Sequence, residues 1–192
     1  MLLFLTACEA SDRNGKIEDL ILKMAKGDTE ALGSLYEEIK TDVYAFCLSR
    51  AQNVEDAEDI CEDTFVRIYK YARLYTPKGK PMAWIFTVAL NILKRHKAIK
   101  ARHISYDDAI SDTVDESQGI EEALSERSFL KWLISSLDEL SRSILVMHAV
   151  SGLKHREIAK ILDIPLATVL SKYNRAIKKL KNMAEGGGKS DE

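Results

Sequence analysis

Apolar residues return at three- and four-residue steps along most of this chain. The clearest run is Ala57, Ile60, Cys61, Thr64, Phe65, Ile68, Ala72 and Tyr75, one buried stripe of a helix over Asn53–Tyr75. Asn53 is an amide that caps such a helix, and carboxylates crowd its first turn, where the helix dipole favours anions. Upstream, Ile17, Leu20, Ile21 and Met24 predict a short helix that stops at Gly27. Asp28 caps the next, whose stripe is Leu32, Leu35, Tyr36, Ile39, Val43, Phe46 and Cys47, with a break expected near Thr41–Asp42. Downstream, Thr76–Pro81 carries two prolines and Gly79 and reads as a loop. A fourth helix follows from about Met82 to Lys100, burying Ile85, Val88, Ala89, Ile92 and Leu93.

The periodicity then fails. Residues 104–121 gain acid, serine and glycine and read as a flexible linker. It resumes near Glu122: Leu124, Leu130, Leu133, Ile134 and Leu137 mark one helix. Ser141 is expected to cap another, running through Ile144, Leu145 and His148 to a stop at Gly152. His155–Leu162 and Leu166–Met183 are the last two. The expected fold is therefore all-α, two small helical domains over 16–103 and 122–184 joined by an acidic linker. Residues 1–15 read as a disordered extension or a mis-assigned start, and 185–192 as a disordered tail. Only three prolines and nine glycines in 192 residues argue against an all-β fold. No apolar run approaches the roughly 20 residues that span a bilayer, so no membrane insertion is expected. Leu5–Cys8 resembles a lipoprotein cleavage box, but a basic segment before it is missing.

Charge adds a second layer. Net charge is only −2, but the charges are segregated. Lys78–Arg102 holds seven basic residues and no acid, Asp107–Glu126 eight acids and no base, and Lys172–Lys181 five bases and no acid. Two basic modules separated by an acidic connector point to nucleic acid as a partner of each. The Asn53–Tyr75 helix is itself divided. Glu55, Asp56, Glu58, Asp59, Glu62 and Asp63 occupy its first half, while Arg67, Lys70, Arg73, Tyr69 and Tyr71 occupy its second. One helix with an acidic and a basic, aromatic end suits two partners of opposite charge, and equally well a solvated helix face with chance charge blocks.

Residues 155–180, HREIAKILDIPLATVLSKYNRAIKKL, read as a helix-turn-helix. Ala159 lets two helices approach, Asp163 tolerates the left-handed turn position better than most residues, and Pro165 stops the first helix from continuing. Val169, Ala176, Ile177 and Leu180 are expected to bury the second helix. Ala167, Thr168, Leu170, Ser171, Lys172, Asn174 and Arg175 are then left to face the major groove. A second candidate surface combines Tyr69, Tyr71 and Tyr75 with Lys78, Lys80, Trp84, Asn91, Lys94, Arg95 and Lys97. Rings stack on unpaired bases while cations follow the backbone, which suits single-stranded nucleic acid. Trp84 and Tyr75 suit core packing equally well. Cys8, Cys47 and Cys61 lack metal-ligand spacing, and no cofactor or metal is implied.

These segments carry a resemblance. VEDAEDICEDTFVRIY is similar to the core-docking region of bacterial RNA polymerase sigma factors of the extracytoplasmic-function (ECF) group. KPMAWIFTVALNILKRHK resembles the segment of that family that melts and reads the −10 element, and IPLATVLSKYNRAIKKL the one that reads the −35 element. The three fall in the family's order over about residues 17–183. The resemblance implies a protein that is not an enzyme, and three cysteines without secretory context fit a reducing cytoplasm. Glu55–Asp63 would dock on core polymerase, Lys78–Lys97 would hold opened −10 DNA, and Ala167–Arg175 would hold −35 duplex. An anti-sigma factor would be a further partner. Leu170-Ser171-Lys172 departs from the family's common Lys-Ser-Arg step, so the promoter sequence is not transferable. Two other readings stand beside it. One is a helix-turn-helix regulator acting without polymerase; the other is a metalloenzyme built on Glu55, Glu58, Asp59 and Glu62.

Overall fold

A computed structural model describes residues 2–51, 53–104 and 136–186, with side chains over 12–51, 53–100 and 136–183. Seven α-helices are described: α1 (Leu2–Ala25), α2 (Glu30–Arg50), α3 (Val54–Tyr71), α4 (Pro81–Ile104), α5 (Glu139–Ala149), α6 (His155–Leu162) and α7 (Leu166–Gly186). The expected linker from residue 105, the helix over 122–135 and the tail from residue 187 lie outside the described residues.

Helices α1–α4 pack around the predicted stripes. Ile17, Leu35, Ile39, Phe46, Ile68, Ile85 and Phe86 are fully buried, and the rings of Phe46 and Phe86 meet at 4.9 Å between centroids. Each such side chain contributes about 1.5–3 kcal/mol by leaving water. Helix α3 begins as expected, with Asn53 Oδ1 accepting the Asp56 N–H at 2.7 Å. Its end differs: Ala72–Leu74 tightens into a 3₁₀ turn before the loop. Thr64, buried on the stripe, donates to the Ile60 carbonyl at 2.7 Å, so its hydroxyl costs little inside the core.

Several expectations are corrected. Helix α1 starts well before Lys16, at Leu2. Arg13 on that upstream turn donates to the Asp42 carboxylate at 2.8 Å and to Glu38 at 3.1 Å. For the same reason α2 runs unbroken through Thr41–Asp42: the Asp42 side chain is claimed by Arg13 and does not compete for its own backbone. Tyr36, expected on the buried stripe, is exposed and rests edge-on against Phe65 at 4.8 Å. Asp138, not Ser141, caps α5, accepting both the amide and the hydroxyl of Ser141 at 3.1 and 2.8 Å.

Helices α5–α7 pack on the first four, with α5 lying along the C-terminal half of α2. A continuous buried cluster passes from Phe46, Phe86 and Leu90 into Ile144, Met147, Leu153 and Ile158. Polar groups line the seam. Ser49 and Ser143 Oγ meet at 3.2 Å, Arg142 Nε donates to the Ser49 carbonyl at 3.3 Å, and Arg50 pairs with Glu139 at 3.1 Å.

Candidate nucleic-acid interface

The helix-turn-helix is built as its residues dictate. Helix α6 opens with Glu157 reaching back to accept the Lys154 N–H at 3.0 Å. It ends at Asp163, whose φ of 54° makes it the one positive-φ residue other than glycine among the described residues. Buried Ala159 lets the turn close, and its carbonyl accepts the Ile164 N–H at 3.1 Å. The Pro165 carbonyl then accepts the first amides of α7, from Thr168 and Val169.

Val169 and Ala176 anchor α7, leaving Ala167, Leu170, Ser171, Asn174 and Arg175 exposed and Thr168 half-buried. Two positions differ from expectation. Ile177 is exposed and Leu180 only half-buried: the inward face runs through Val169, Tyr173 and Ala176, and Ile177 lies at its edge. Lys172 is not free for DNA in this arrangement: its ammonium meets Asp138 at 3.2 Å. Burial opposes ionisation of Asp138, but the Ser141 hydroxyl and amide and Lys172 outweigh it and hold the carboxyl down at about 2. Behind α7, His148 and His155 stack at 4.2 Å with Tyr173 edge-on to both. His148 Nδ1 lies 2.8 Å from the Leu153 carbonyl and therefore donates to it, whereas buried His155 Nε2 has no partner.

The second surface spans the end of α3, the loop over 75–80 and α4. Tyr69 and Tyr71 are exposed, with the Arg67 guanidinium 5.8 Å from the Tyr71 ring. Tyr75 is buried and tilts against half-buried Trp84 at 5.1 Å, so Tyr75 is core and Trp84 is shared between core and surface. Asn91, Lys94 and Arg95 are exposed on α4. Lys80 and Lys97 are engaged by the other half of the molecule: Lys80 meets Glu157 at 2.7 Å and Lys97 meets Glu139 at 2.8 Å. Burial opposes ionisation of Glu157, but Lys80 and the Lys154 amide outweigh it and keep its carboxyl below the usual range.

On the acidic half of α3, Glu55, Glu58, Asp59, Glu62 and Asp63 are exposed, forming an anionic face. Asp56 differs from them. It is 9% exposed and accepts from the Lys100 ammonium at 2.6 Å, pinning α4 to α3. Periodicity alone placed Asp56 with its neighbours; its cross-helix partner is invisible to it. Among the described residues no group of three metal-ligating side chains comes together. Nor is any described helix long and apolar enough to cross a membrane.

A bundle carrying an anionic face, joined to a helix-turn-helix, defines a DNA-binding transcription protein of two helical units. Residues 35–113 match the model of Sigma-70 region 2, and residues 132–180 that of Sigma-70, region 4. Together these matches cover two thirds of the chain, which belongs to the sigma-70 family, in its ECF group. The chain is 27% identical over 172 residues to the ECF RNA polymerase sigma factor SigK of Mycobacterium sp. (strain KMS), covering 86% of this chain and 89% of that one. It is 24% identical over 178 residues to SigW of Bacillus subtilis (strain 168), covering 86% and 95%. The fold is similar to that of the sigma factor RpoE of Bartonella quintana, solved with the anti-sigma factor NepR. There the TM-score is 0.62 at 20% identity, over 79% of this chain and 97% of that one.

Proposed function

We propose that this chain binds bacterial core RNA polymerase and directs it to promoters through −35 and −10 elements, acting in the cytoplasm and catalysing no reaction itself. The observation that carries the residue assignment is the division of α3: five exposed carboxylates on its first turns, then Arg67, Tyr69 and Tyr71 on its last. Glu55, Glu58, Asp59, Glu62 and Asp63 dock on a basic surface of the polymerase. Asp56 supports them by holding α4 through Lys100. The exposed start of α7, from Ala167 to Arg175, lies in the major groove of −35 duplex, its N-terminal residues nearest the base edges. Leu170 is suited to a thymine methyl rather than to a phosphate.

Near −10, the loop over 75–80 and α4 receive an unstacked base and the opened strand. Half-buried Trp84 offers a ring, and Lys78, Asn91, Lys94 and Arg95 offer donors. Lys80 and Lys97 join them once DNA phosphates displace Glu157 and Glu139, which occupy the same cations in the closed arrangement. An anti-sigma factor is a further partner; the RpoE relative's assembly with NepR supports this. The stand-alone regulator reading loses ground to family membership.

The test is run-off transcription from a genomic fragment library with purified core polymerase, with and without the protein. Discrete new transcripts that disappear when Asp59 and Glu62 are both changed to Lys support the assignment. Specific DNA binding by the free protein, with no such transcripts, overturns it.

A further inference from the structure

The loop over 75–80 is the part of the −10 surface with the least packing of its own: Thr76, Pro77, Lys78, Gly79 and Lys80 are all exposed. Its shape is nevertheless held, and from an unexpected place. One carboxylate oxygen of Glu18, on α1, accepts three hydrogen bonds. They come from the Tyr75 hydroxyl at 2.6 Å, the Lys78 N–H at 3.0 Å and the Gly79 N–H at 3.1 Å. Gly79 has a φ of 65°, a left-handed conformation that turns the chain sharply just after these two amides. Two consecutive amides converging in this way form an anion-binding concavity, and Glu18 supplies the anion from within the chain.

Glu18 is well placed to set a geometry. Its neighbours Ile17, Leu20 and Ile21 are buried in the core, so its backbone is rigid. Its hydrogen bond from Tyr75, aided by the two amides and opposed by desolvation, holds the carboxyl below its ordinary range, so it is ionised wherever the protein is folded near neutrality. Tyr75 in turn packs on Trp84, the ring on the −10 surface. A single acceptor thus couples the loop backbone and the aromatic platform. It also lies outside the segment that matches the region 2 model, which begins at residue 35.

We infer that Glu18 is a positioning residue for −10 recognition: its carboxylate shapes the loop that receives the unstacked base and so sets preference at that base, without touching DNA. This rests on the reading of the loop given above. The experiment is run-off transcription with reconstituted holoenzyme on promoters randomised at −10 and −35, using wild type, Glu18→Gln, Glu18→Ala and Gly79→Ala. Glu18→Gln keeps a carbonyl acceptor and is expected to retain most of the output and the preference. Glu18→Ala is expected to lose about tenfold in output and to flatten base preference at −10 while leaving preference at −35 unchanged. Gly79→Ala, strained at positive φ, should reproduce that pattern without altering Glu18. Unaltered −10 preference in both alanine variants, with wild-type output, would falsify the inference. If Glu18→Ala fails to fold by circular dichroism, Tyr75→Phe, which keeps the ring and removes one donor to Glu18, decides in its place: an unaltered −10 preference there overturns the inference. A −10 preference that survives replacement of residues 76–80, with Glu18 intact, overturns the underlying reading of the loop instead.

Discussion

Lys80, on the loop over 75–80, and Glu157, on the first helix of the helix-turn-helix, form an ion pair at 2.7 Å. Glu139 repeats the theme, bridging Lys97 of α4 and Arg50 of α2. Carboxylates of the helix-turn-helix half therefore occupy two of the cations proposed above to receive −10 DNA. Apolar burial at Ile144 and Met147 adds to this contact, and the ion pairs give it a dependence on salt.

Changing both Glu139 and Glu157 to Gln should free Lys80 and Lys97. Exposed pairs are worth about 0.5 kcal/mol each, so affinity for a single-stranded −10 oligonucleotide should rise roughly fivefold at low salt. Fluorescence anisotropy reads this directly, and the gain should shrink as salt is raised. Equal affinity for both proteins would mean that the pairs do not restrain the −10 surface.

The acidic face of α3 separates docking from stability. Reversal of exposed Asp59 and Glu62 to Lys should change folding free energy by no more than about 0.5 kcal/mol per site while reducing transcription by at least tenfold. Asp56→Ala should do the converse. It removes the partner of Lys100 and should cost about 1 kcal/mol, because Lys100 is 42% exposed and water takes over part of the interaction. Urea titration alongside transcription distinguishes the two classes.

Arg13 ties α1 to α2 through Asp42, whose side chain is only 6% exposed. Arg13→Ala leaves that carboxylate without its cation. A fully buried orphan would cost about 3–5 kcal/mol, but Arg13 is one third exposed, so about 1–3 kcal/mol is expected. The cost should appear in chemical denaturation and should be much reduced when Asp42 is also replaced by Asn.

Burial, with His148 stacked across it, lowers the proton affinity of His155. The unfolded chain titrates near 6.5 and so binds more protons than the folded chain just below that pH. This contribution to stability is complete above about 6.5 and is lost as pH falls toward the lower folded value. His155→Gln should therefore flatten the fall of the urea midpoint as pH drops below about 6.5. An unchanged slope would place the titration elsewhere.

Much of the fold is legible in the linear pattern because a 3.6-residue period encodes which face of a helix is buried. The stripe from Ala57 to Tyr75 is buried throughout, and Asn53 caps its helix. Asp163 adopts the left-handed turn its residue type permits. The division of α3 into anionic and cationic halves needs only the order of the residues. Periodicity breaks down where a neighbour is required. It buried Ile177 because spacing alone does not tell which of two adjacent apolar positions, Ala176 or Ile177, faces the neighbouring helices.

The sequence by itself thus determined the helices, their buried faces and the separation of acidic from basic surface, since each depends on contacts within a turn or two. Only the tertiary structure decided which charges are spent and which are free. Asp56 meets Lys100 across 44 residues, Arg13 meets Asp42 across 29, and Tyr75 donates to Glu18 across 57. Those pairings depend on how helices lie against one another at distances of about 3 Å, and no local pattern of apolar and polar residues specifies that.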